Sequence, residues 1–365
     1  MPQPLDYNAA EWKRIFNTLL DQIEHQQCVL LLGPELAQVE GQPIQQLLRE
    51  QLLADYATEI SYYYPRDGLF LFTDELAKGD VQGGVRLFYK NPDLGAKMDE
   101  TIFKKIAQIP FHLVLSISPD NFLSDVCYKY GVKHRSAFFH HRGDAVQLID
   151  PPSKEIPLVY QLFGRFSQDD SLVLDYEDLF RLLQAGLGAP GLPEKLRAAL
   201  DRAKTFIFLG FDFEKWYSQL LLRLLTGEKA IRKYALNTQI AESQTHTFLV
   251  KQFEIAFLGD EMAFFEHLYQ ECQQRLKLRQ LTEPNSPAAR QVIQLVQEGE
   301  PERALEVLKG IPGLDSSIAN DIVMLSARYL NLKQNQEKGL MDSRDYWPEF
   351  NRIIDAILEL SQHLP

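Results

Sequence analysis

Short apolar runs that end in a turn-forming residue recur along most of this sequence, and they constrain its fold more than any other feature. Residues 28–33 (CVLLLG) show the pattern most clearly. A run this short, closed by glycine, is typical of a strand that is buried on both faces of a parallel sheet. Similar runs occupy residues 113–117, 146–149, 158–163, 171–174, 205–210, 233–236 and 253–258.

Amphipathic stretches alternate with these runs. Residues 7–27 place apolar side chains three and four positions apart, and residues 192–203 and 214–227 have the same helical period. Strands that alternate with helices predict a doubly wound, mostly parallel α/β sheet. Ligands of such a sheet bind outside the carboxyl ends of its strands, so we expect a site in the turns that follow them.

The alternation ends near residue 280. Residues 281–287 (LTEPNSP) interrupt every apolar period and predict a linker. The sequence beyond it has only helical periodicity. We therefore expect an α/β domain over residues 1–280 and a small all-helical domain over residues 288–365.

The tail pattern predicts a helix, a tight turn and a second helix over residues 288–311, with Gly299 ending the first helix and Pro301 starting the second. Longer helices are predicted over residues 315–339 and 347–364. These helices carry no catalytic constellation, so the tail is either a stabilising cap or an interaction module. We favour the interaction module, because a bundle behind a linker is poorly placed to complete the core of the sheet.

Charge and cysteine content exclude several classes of function. The 365 residues include 38 basic and 50 acidic side chains, a formal charge of −12, which argues against binding to nucleic acid or anionic membranes. Cys28, Cys127 and Cys272 are far apart, so neither a disulfide framework nor a metal site is indicated. The sequence shows no signal-peptide pattern and no apolar run that could span a bilayer, so we expect a cytoplasmic protein.

The first two strand-end turns contain polar groups of different kinds. Gly33 is followed by proline and Glu35, a poor phosphate cradle, because proline has no N–H and a carboxylate repels phosphate. The next turn, residues 116–121 (SISPDN), brings Ser118 and Asp120 after a buried strand. Their oxygens would suit a ribose or a polarised water, but serine and aspartate also cap helices.

Later strand ends supply further candidates. Phe163 and Gly164 end one run, and Gly210 with Asp212 ends another. Gly210 would let a ligand approach the backbone closely, although it could also simply form the turn. Asn237 closes a later run, and its amide could bind a base or a ribose.

The order and spacing of these turns resemble the sirtuin-like superfamily over roughly residues 10–275, and the segment 171–180 (SLVLDYEDLF) adds to the likeness. The family runs from a glycine-rich loop through an asparagine-containing turn, a His-Gly turn and a Gly-Thr-Ser-like turn to a late Ile-Asn. The corresponding segments here are LLGPEL (31–36), LSISPDNFL (115–123), YQLFG (160–164), FLGFDF (208–213) and ALN (235–237).

The resemblance implies a Rossmann-like fold and a cofactor that is NAD or a related nucleotide, with no metal. The residues that would bind this cofactor lie in the segments that correspond to the family's turns: Gly33, Ser118, Asp120, Gly164, Gly210, Asp212 and Asn237.

The tail resembles the effector-associated domains of bacterial conflict systems. The segments EGEPERALEVL (298–308), DIVMLSARYLNLKQNQEKGLMDSRDY (321–346) and NRIIDAILEL (351–360) carry this likeness. Such modules join effectors to sensors or to one another. The resemblance therefore implies other effector-associated-domain proteins or a sensor subunit as partners, and a homo- or hetero-oligomer. Sirtuin-like modules in these systems often destroy NAD during phage infection.

The sequence departs from the family where the family's chemistry is done. The sirtuin-like reaction cleaves the nicotinamide–ribose bond with a histidine base and a positioning asparagine. The histidine position is Phe163 here, which accepts no proton, and the asparagine position falls on Ser118. Loss of a general base alone typically costs a factor of about 10²–10⁴ in rate.

Three hypotheses follow. The first is a sirtuin-like protein with a degenerate catalytic centre, acting as a scaffold, adaptor or nucleotide sensor through its tail. The second is an active NAD glycohydrolase in which Asp120 and Ser118 are catalytic, with the base relocated or supplied by a partner; His140, His141 and a Glu35–Asp120 pair are the relocated candidates. The third is a structural α/β protein without a ligand. We rank the first ahead of the second and the third last.

Overall fold

A computed structural model describes residues 9–142, 149–188, 191–226, 231–235, 244–258, 260–283, 286–341, 343–362 and 364. Its strands, in chain order, are β1 (Cys28–Leu32), β2 (Gln38–Val39), β3 (Gln42–Pro43), β4 (Ile60–Tyr64), β5 (Leu69–Phe72), β6 (Leu113–Ser116), β7 (Arg135–Phe138), β8 (Leu158–Gln161), β9 (Thr205–Leu209), β10 (Arg232–Ala235) and β11 (Ile255–Phe257). Within these described ranges no helix is both long and apolar enough to cross a membrane.

Seven of the described strands form one parallel sheet in the order β11-β10-β9-β1-β6-β8-β7. β1 lies at its centre and is buried along its whole length, which explains its uninterrupted apolar sequence. Alternate β1 residues belong to two different hydrophobic cores: Leu30 and Leu32 to one face of the sheet, Val29 and Leu31 to the other. The predicted doubly wound α/β sheet is confirmed.

Helices cover both faces of this sheet, and each contributes at least one apolar side chain to one of the two cores. Their bounds are α1 (Ala10–Glu24), α2 (Ile44–Asp55), α3 (Glu75–Tyr89), α4 (Pro92–Lys97), α5 (Thr101–Gln108), α6 (Phe122–Lys129), α7 (Tyr176–Leu187), α8 (Glu194–Arg202), α9 (Trp216–Thr226), α10 (Gln244–Phe253) and α11 (Glu261–Arg275). The helix–strand alternation is what the sequence pattern predicts.

Two of the predicted strands need separate comment. Residues 171–174 were expected to be a strand, and this prediction is wrong. A 3₁₀ turn over Asp169–Ser171 comes first, and Leu172 then enters the core from irregular chain. The predicted strand at 146–149 falls largely on residues 143–148, which lie outside the described residues.

The C-terminal region is helical, as predicted, with α12 (Pro287–Gln297), α13 (Pro301–Lys309), α14 (Ser316–Glu337) and α15 (Ser343–Gln362). Ser286 caps α12, since its Oγ accepts a hydrogen bond from the Ala289 amide at 3.1 Å. Gly299 follows α12 with φ +74°, a left-handed conformation that suits a helix stop. These helices enclose a hydrophobic core of their own, which includes Val292, Leu305, Ile322 and Ile357.

An arginine fixes the chain just before this helical region. The guanidinium of Arg279 donates hydrogen bonds to four backbone carbonyls, and two of these, on Ala107 and Ile109, lie at the end of α5. The other two belong to Phe111 and Lys154. Because a helix leaves its last carbonyls without partners, Arg279 completes α5 from a distant part of the chain.

Candidate functional site

The strand order reverses at β1, so the turns after β1, β6, β8 and β9 meet at one edge of the sheet. The polar residues that line the cavity between them are Ser116, Ser118, Asp120, Asn121, Ser124 and Gln161. This cavity has a volume of about 20 Å³. It therefore has room for about one water molecule and none for a nucleotide.

Gly33 and Gly210 bring the β1 and β9 turns into direct contact. A Cβ atom on Gly33 would lie 1.8 Å from the Gly210 carbonyl oxygen, and the Gly33 amide donates to the Leu209 carbonyl at 2.7 Å. Gly210 has φ +62°, and a Cβ there would lie 2.5 Å from the Leu36 amide nitrogen. The close approach that both glycines permit is therefore an approach of one turn to the other.

The serine turn after β6 satisfies much of its own hydrogen-bonding capacity. Ser116 Oγ accepts a hydrogen bond from the Ser118 amide at 3.1 Å. Asp120 Oδ1 accepts one from the Phe122 amide at 3.1 Å, at the start of α6. Burial raises the pKa of Asp120, and hydrogen bonds from Ser118 and Phe122 oppose that rise. Asp120 thus serves the start of α6 while it lines the cavity.

Gln161, the last residue of β8, connects this turn to a buried arginine. Its Nε2 donates to the backbone carbonyl of Asp120 and, at 3.2 Å, to Asn121 Oδ1. Its Oε1 accepts a hydrogen bond from Arg165 Nε at 2.8 Å, and Arg165 Nη2 donates to Ser136 Oγ on β7. The sequence analysis missed Gln161 and Arg165; a cation directly after a strand-end glycine is the signal that could have identified them.

Phe163 belongs to the core and does not line the cavity. Its side chain is 8% exposed, and its ring centroid lies 5.8 Å from that of Tyr217 on α9. Gly164 follows with φ +79°, and a Cβ on it would lie 2.0 Å from the Ser171 carbonyl oxygen. Gly164 is therefore required by the packing of the chain against the Asp169–Ser171 turn.

Glu35 is the other carboxylate that was considered as a pair with Asp120, and it follows β1 in the same turn as Gly33. The charges that act on Glu35 belong to the β9 turn: partial removal from water and the Asp212 carboxylate raise its pKa, and Lys215 lowers it. Asp212 Oδ1 accepts a hydrogen bond from the Glu214 amide at 2.9 Å. Asn237, the remaining predicted cofactor residue, lies outside the described residues.

The histidines considered as relocated bases lie apart from the strand-end cavity. His140 Nε2 contacts Asp170 Oδ2 at 3.0 Å, and the buried His141 contacts Asp178 Oδ1 at 3.4 Å. His112 precedes β6, at its amino end, and burial lowers its pKa to about 4. In the part of the chain that the structure describes, no histidine lines the strand-end cavity.

Asp178 is the centre of a buried charged cluster. Lys78 Nζ donates to its Oδ1 at 2.8 Å, Arg142 Nη2 does so at 2.6 Å, and the Leu174 amide donates to its Oδ2 at 3.2 Å. Burial alone would raise the pKa of Asp178, but the hydrogen bonds from His141, Lys78 and Arg142 lower it overall. The cluster joins α3 and α7 to the chain before residue 143.

Comparison with known families agrees with both resemblances. Residues 114–256 match the family model described as SIR2-like domain, and residues 287–365 match the one described as Effector-associated domain 11. The chain thus carries a SIR2-like region followed by an effector-associated region. No curated protein matches the chain. The SIR2-like match begins within β6, so β1 and the Gly33 turn precede it.

The effector-associated region contacts the SIR2-like region through hydrogen bonds to backbone carbonyls. Gln297 Nε2, at the end of α12, donates to the Asp125 carbonyl on α6 at 2.9 Å. Asn351 Nδ2, on α15, donates to the Ser136 carbonyl on β7 at 3.0 Å. Tyr128 on α6 packs against the hydrophobic core of the effector-associated helices. The two regions therefore share an interface beside the strand-end turns.

Proposed function

We propose that this chain is a component of a bacterial conflict system whose SIR2-like region has a degenerate NAD-cleaving centre. It would work as a scaffold, adaptor or nucleotide sensor, and it would meet its partners through the effector-associated region. The SIR2-like and effector-associated matches support the conflict-system assignment. The chemistry of the strand ends supports the loss of catalysis.

The observation that carries this proposal is the position of Phe163. A general base must lie within hydrogen-bond reach of the group that it deprotonates. Phe163 offers no titratable atom, and its ring packs against Tyr217 in the core. A histidine placed there would be buried among apolar neighbours, where burial disfavours its charged form.

The small cavity supports the same proposal. Its volume of about 20 Å³ is far below the range of roughly 300–1,000 Å³ that is usual for ligand sites. The groups that line it also bond to one another, as Ser116 does to Ser118 and Gln161 to Asn121. A nicotinamide ribose would have to displace these contacts before any reaction.

Exposed apolar side chains on α14 support a role in protein contacts. Val323 and Met324 are 59% and 65% exposed, and Leu330 is also exposed. Single exposed apolar residues are ordinary, whereas a contiguous exposed apolar patch marks an interaction site. We propose that this part of α14 contacts a second effector-associated region, in the same chain type or in a sensor subunit.

The test of this proposal has two measurements on the full chain. Nicotinamide release from NAD, followed by NMR at micromolar protein, should stay at the rate of the buffer. Sedimentation velocity should show self-association that the exposed substitution Met324→Glu weakens, whereas Leu76→Glu, at an exposed position on α3, should leave it unchanged. Steady nicotinamide release by the purified chain would overturn the proposal.

Asp120 favours one second candidate, an NAD glycohydrolase. It is the carboxyl whose pKa burial raises beside the strand-end cavity, with Ser118 hydrogen-bonded to it. A raised pKa is what an acid–base group near neutral pH requires. If a partner protein elicits NAD loss, Asp120→Ala should abolish it and leave the fold unchanged. Unaltered turnover in Asp120→Ala would exclude this candidate.

A further inference from the structure

A second cavity, with a volume of about 470 Å³, lies between the SIR2-like and effector-associated regions. Its α/β wall comes from α3, α6, β7 and the turn after β8. Its other wall comes from α12, the start of α13, α14 and α15. The volume falls within the range that is usual for small-molecule sites.

Arg165 is the feature of this cavity that most requires a ligand. Its side chain is 8% exposed, and its hydrogen-bond partners, Gln161 and Ser136, are neutral. Within the described ranges no carboxylate lies within 4 Å of its guanidinium. The Asp125 carboxylate acts on Arg165 from a greater distance, and the guanidinium carbon lies 5.1 Å from the centroid of the Phe138 ring. A buried cation without a direct ion pair is costly, because neutral hydrogen bonds and a ring replace its hydration only in part. An anion in the cavity would stabilise it.

The remaining charges of the cavity also favour an anion. Arg86 on α3 and Lys90, the residue directly after α3, line the same wall as Arg165. The acidic residues are Asp125 and Glu298. Asp125 is half-buried. Removal from water and the nearby Asp120 raise its pKa well above the usual value, and Arg165 opposes that rise, so the net effect disfavours its charged form.

The effector-associated wall offers aromatic rings in place of charge. Tyr346 and Phe350, one turn apart on α15, stack with their ring centroids 5.7 Å apart. Tyr329 on α14 lines the cavity beside them. Aromatic rings provide a surface on which a planar base stacks, a contact worth about 1–3 kcal/mol per base in nucleic-acid complexes.

From this arrangement we infer that the cavity between the two regions binds a nucleoside phosphate. The phosphate lies at Arg165, with Arg86 and Lys90 beside it, and the base packs against the Tyr346–Phe350 pair. Only a ligand with both an anionic group and a planar ring matches both walls. This inference rests on the nucleotide-sensor form of the proposed function, and it assigns the sensing site to the junction and not to the strand-end cavity.

The first test is calorimetry on the full chain with adenosine 5′-monophosphate as the probe. We expect saturable binding at one site per chain. Adenosine, which lacks the anion, and inorganic phosphate, which lacks the ring, should each bind at least tenfold more weakly. Phosphate binding as tight as that of the nucleotide would exclude the aromatic contact, and absence of nucleotide binding would overturn the inference.

Three variants locate the site. Arg165→Gln should weaken nucleotide binding at least tenfold, as expected for removal of a buried charged partner. Phe350→Ala should weaken it by a similar factor through loss of the stacking surface. Lys90→Gln, at an exposed position that should not affect folding, should weaken it about 2- to 5-fold. Circular dichroism and thermal unfolding of each variant would establish that it is folded.

Arg181→Gln is the matched control, because Arg181 is an exposed arginine on α7 whose partner is Glu177. Its nucleotide affinity should stay within twofold of the parent chain. Equal affinity of the parent and all three cavity variants would place the nucleotide elsewhere and overturn the inference. If the chain releases no nicotinamide and binds no nucleotide, only the inferred nucleotide site is refuted. If it releases nicotinamide, only the proposed function is refuted.

Discussion

A methyl group on Gly33 would lie 1.8 Å from the carbonyl oxygen of Gly210, so the turns after β1 and β9 meet where only glycine fits. The obstructing atoms belong to the backbone and cannot rotate away as a side chain would. Gly33→Ala should therefore lower the free energy of unfolding by about 3 kcal/mol or more. Urea unfolding measures the change.

The control for this prediction is Gly79→Ala. Gly79 lies within α3, and a Cβ there would have no other heavy atom within 4 Å. Because alanine is the better helix former, this variant should gain up to about 1 kcal/mol. Equal stabilities of the two alanine variants would contradict the packing that we describe.

We predict that Phe163→His does not restore NAD cleavage. The ring at this position contacts Tyr217 and is absent from the lining of the strand-end cavity, so an imidazole there would have no substrate within reach. Nicotinamide release should remain at background, while the free energy of unfolding should fall by about 2–4 kcal/mol, because an unpaired polar ring is buried. NAD turnover that appears with Phe163→His would show that this position faces a substrate after all. Phe180→His, where the ring is 54% exposed, should have a much smaller effect on stability.

Asp178 should control stability at acid pH. Its pKa is lowered in the folded protein, so its stabilising contribution is complete above the unfolded value of about 3.9 and is lost as the pH falls through the folded value. Asp178→Asn should cost about 3–5 kcal/mol at pH 7, because Lys78 and Arg142 lose their buried anion. The stability difference between parent and variant should narrow below about pH 4.

Urea unfolding of both proteins from pH 7 to pH 3 would measure this pH dependence. The exposed substitution Asp55→Asn on α2 serves as its control and should change stability by less than about 0.5 kcal/mol at every pH. A difference between the parent and Asp178→Asn that stays constant down to pH 3 would mean that the Asp178 carboxylate is not the group that titrates.

Arg279 is predicted to be irreplaceable by lysine. Its planar guanidinium donates to four carbonyls from one place, a geometry that an ammonium cannot reproduce. Arg279→Lys should lower the free energy of unfolding by about 2–4 kcal/mol, since hydrogen bonds from charged donors contribute about 1.5–3 kcal/mol each. Arg181→Lys should cost no more than about 0.5 kcal/mol. Thermal and urea unfolding would measure both changes. Equal stabilities of Arg279→Lys and Arg181→Lys would contradict the role given to Arg279.

The buried strands and the tail helices could be predicted from the sequence because their side-chain patterns are unambiguous. β1 and β9 are buried along their whole length and apolar except for Thr205, and Pro301 begins α13 as the helix signals predict. β7 was missed because Arg135 and Ser136 interrupt its apolar character. Residues 171–174 gave the opposite error, since their apolar side chains are buried although the segment does not form a strand.

The contents of the strand-end edge were less predictable. The order of strands and turns in the sequence was enough to predict which turns meet at this edge. The hydrogen bonds between those turns could not be predicted, because they depend on distances that only the folded structure sets. The link from Gln161 through Arg165 to Ser136 exists because β8 is inserted between β6 and β7, an order that no local pattern records. Likewise, Gly33 and Gly210 are ordinary turn residues in the sequence, and only the fold shows that they abut.

The anchoring at Arg279 has a mechanical consequence. Three residues later the Thr282 amide donates to the Tyr130 carbonyl at 2.9 Å, and α12 begins at Pro287. Five residues span at most about 17–18 Å when fully extended, so this connection between the two regions is short. If the effector-associated helices dissociated from α6 and β7, this short connection would still hold them close to the sheet. A protein bound by the effector-associated helices, as we propose, would therefore lie close to the SIR2-like region.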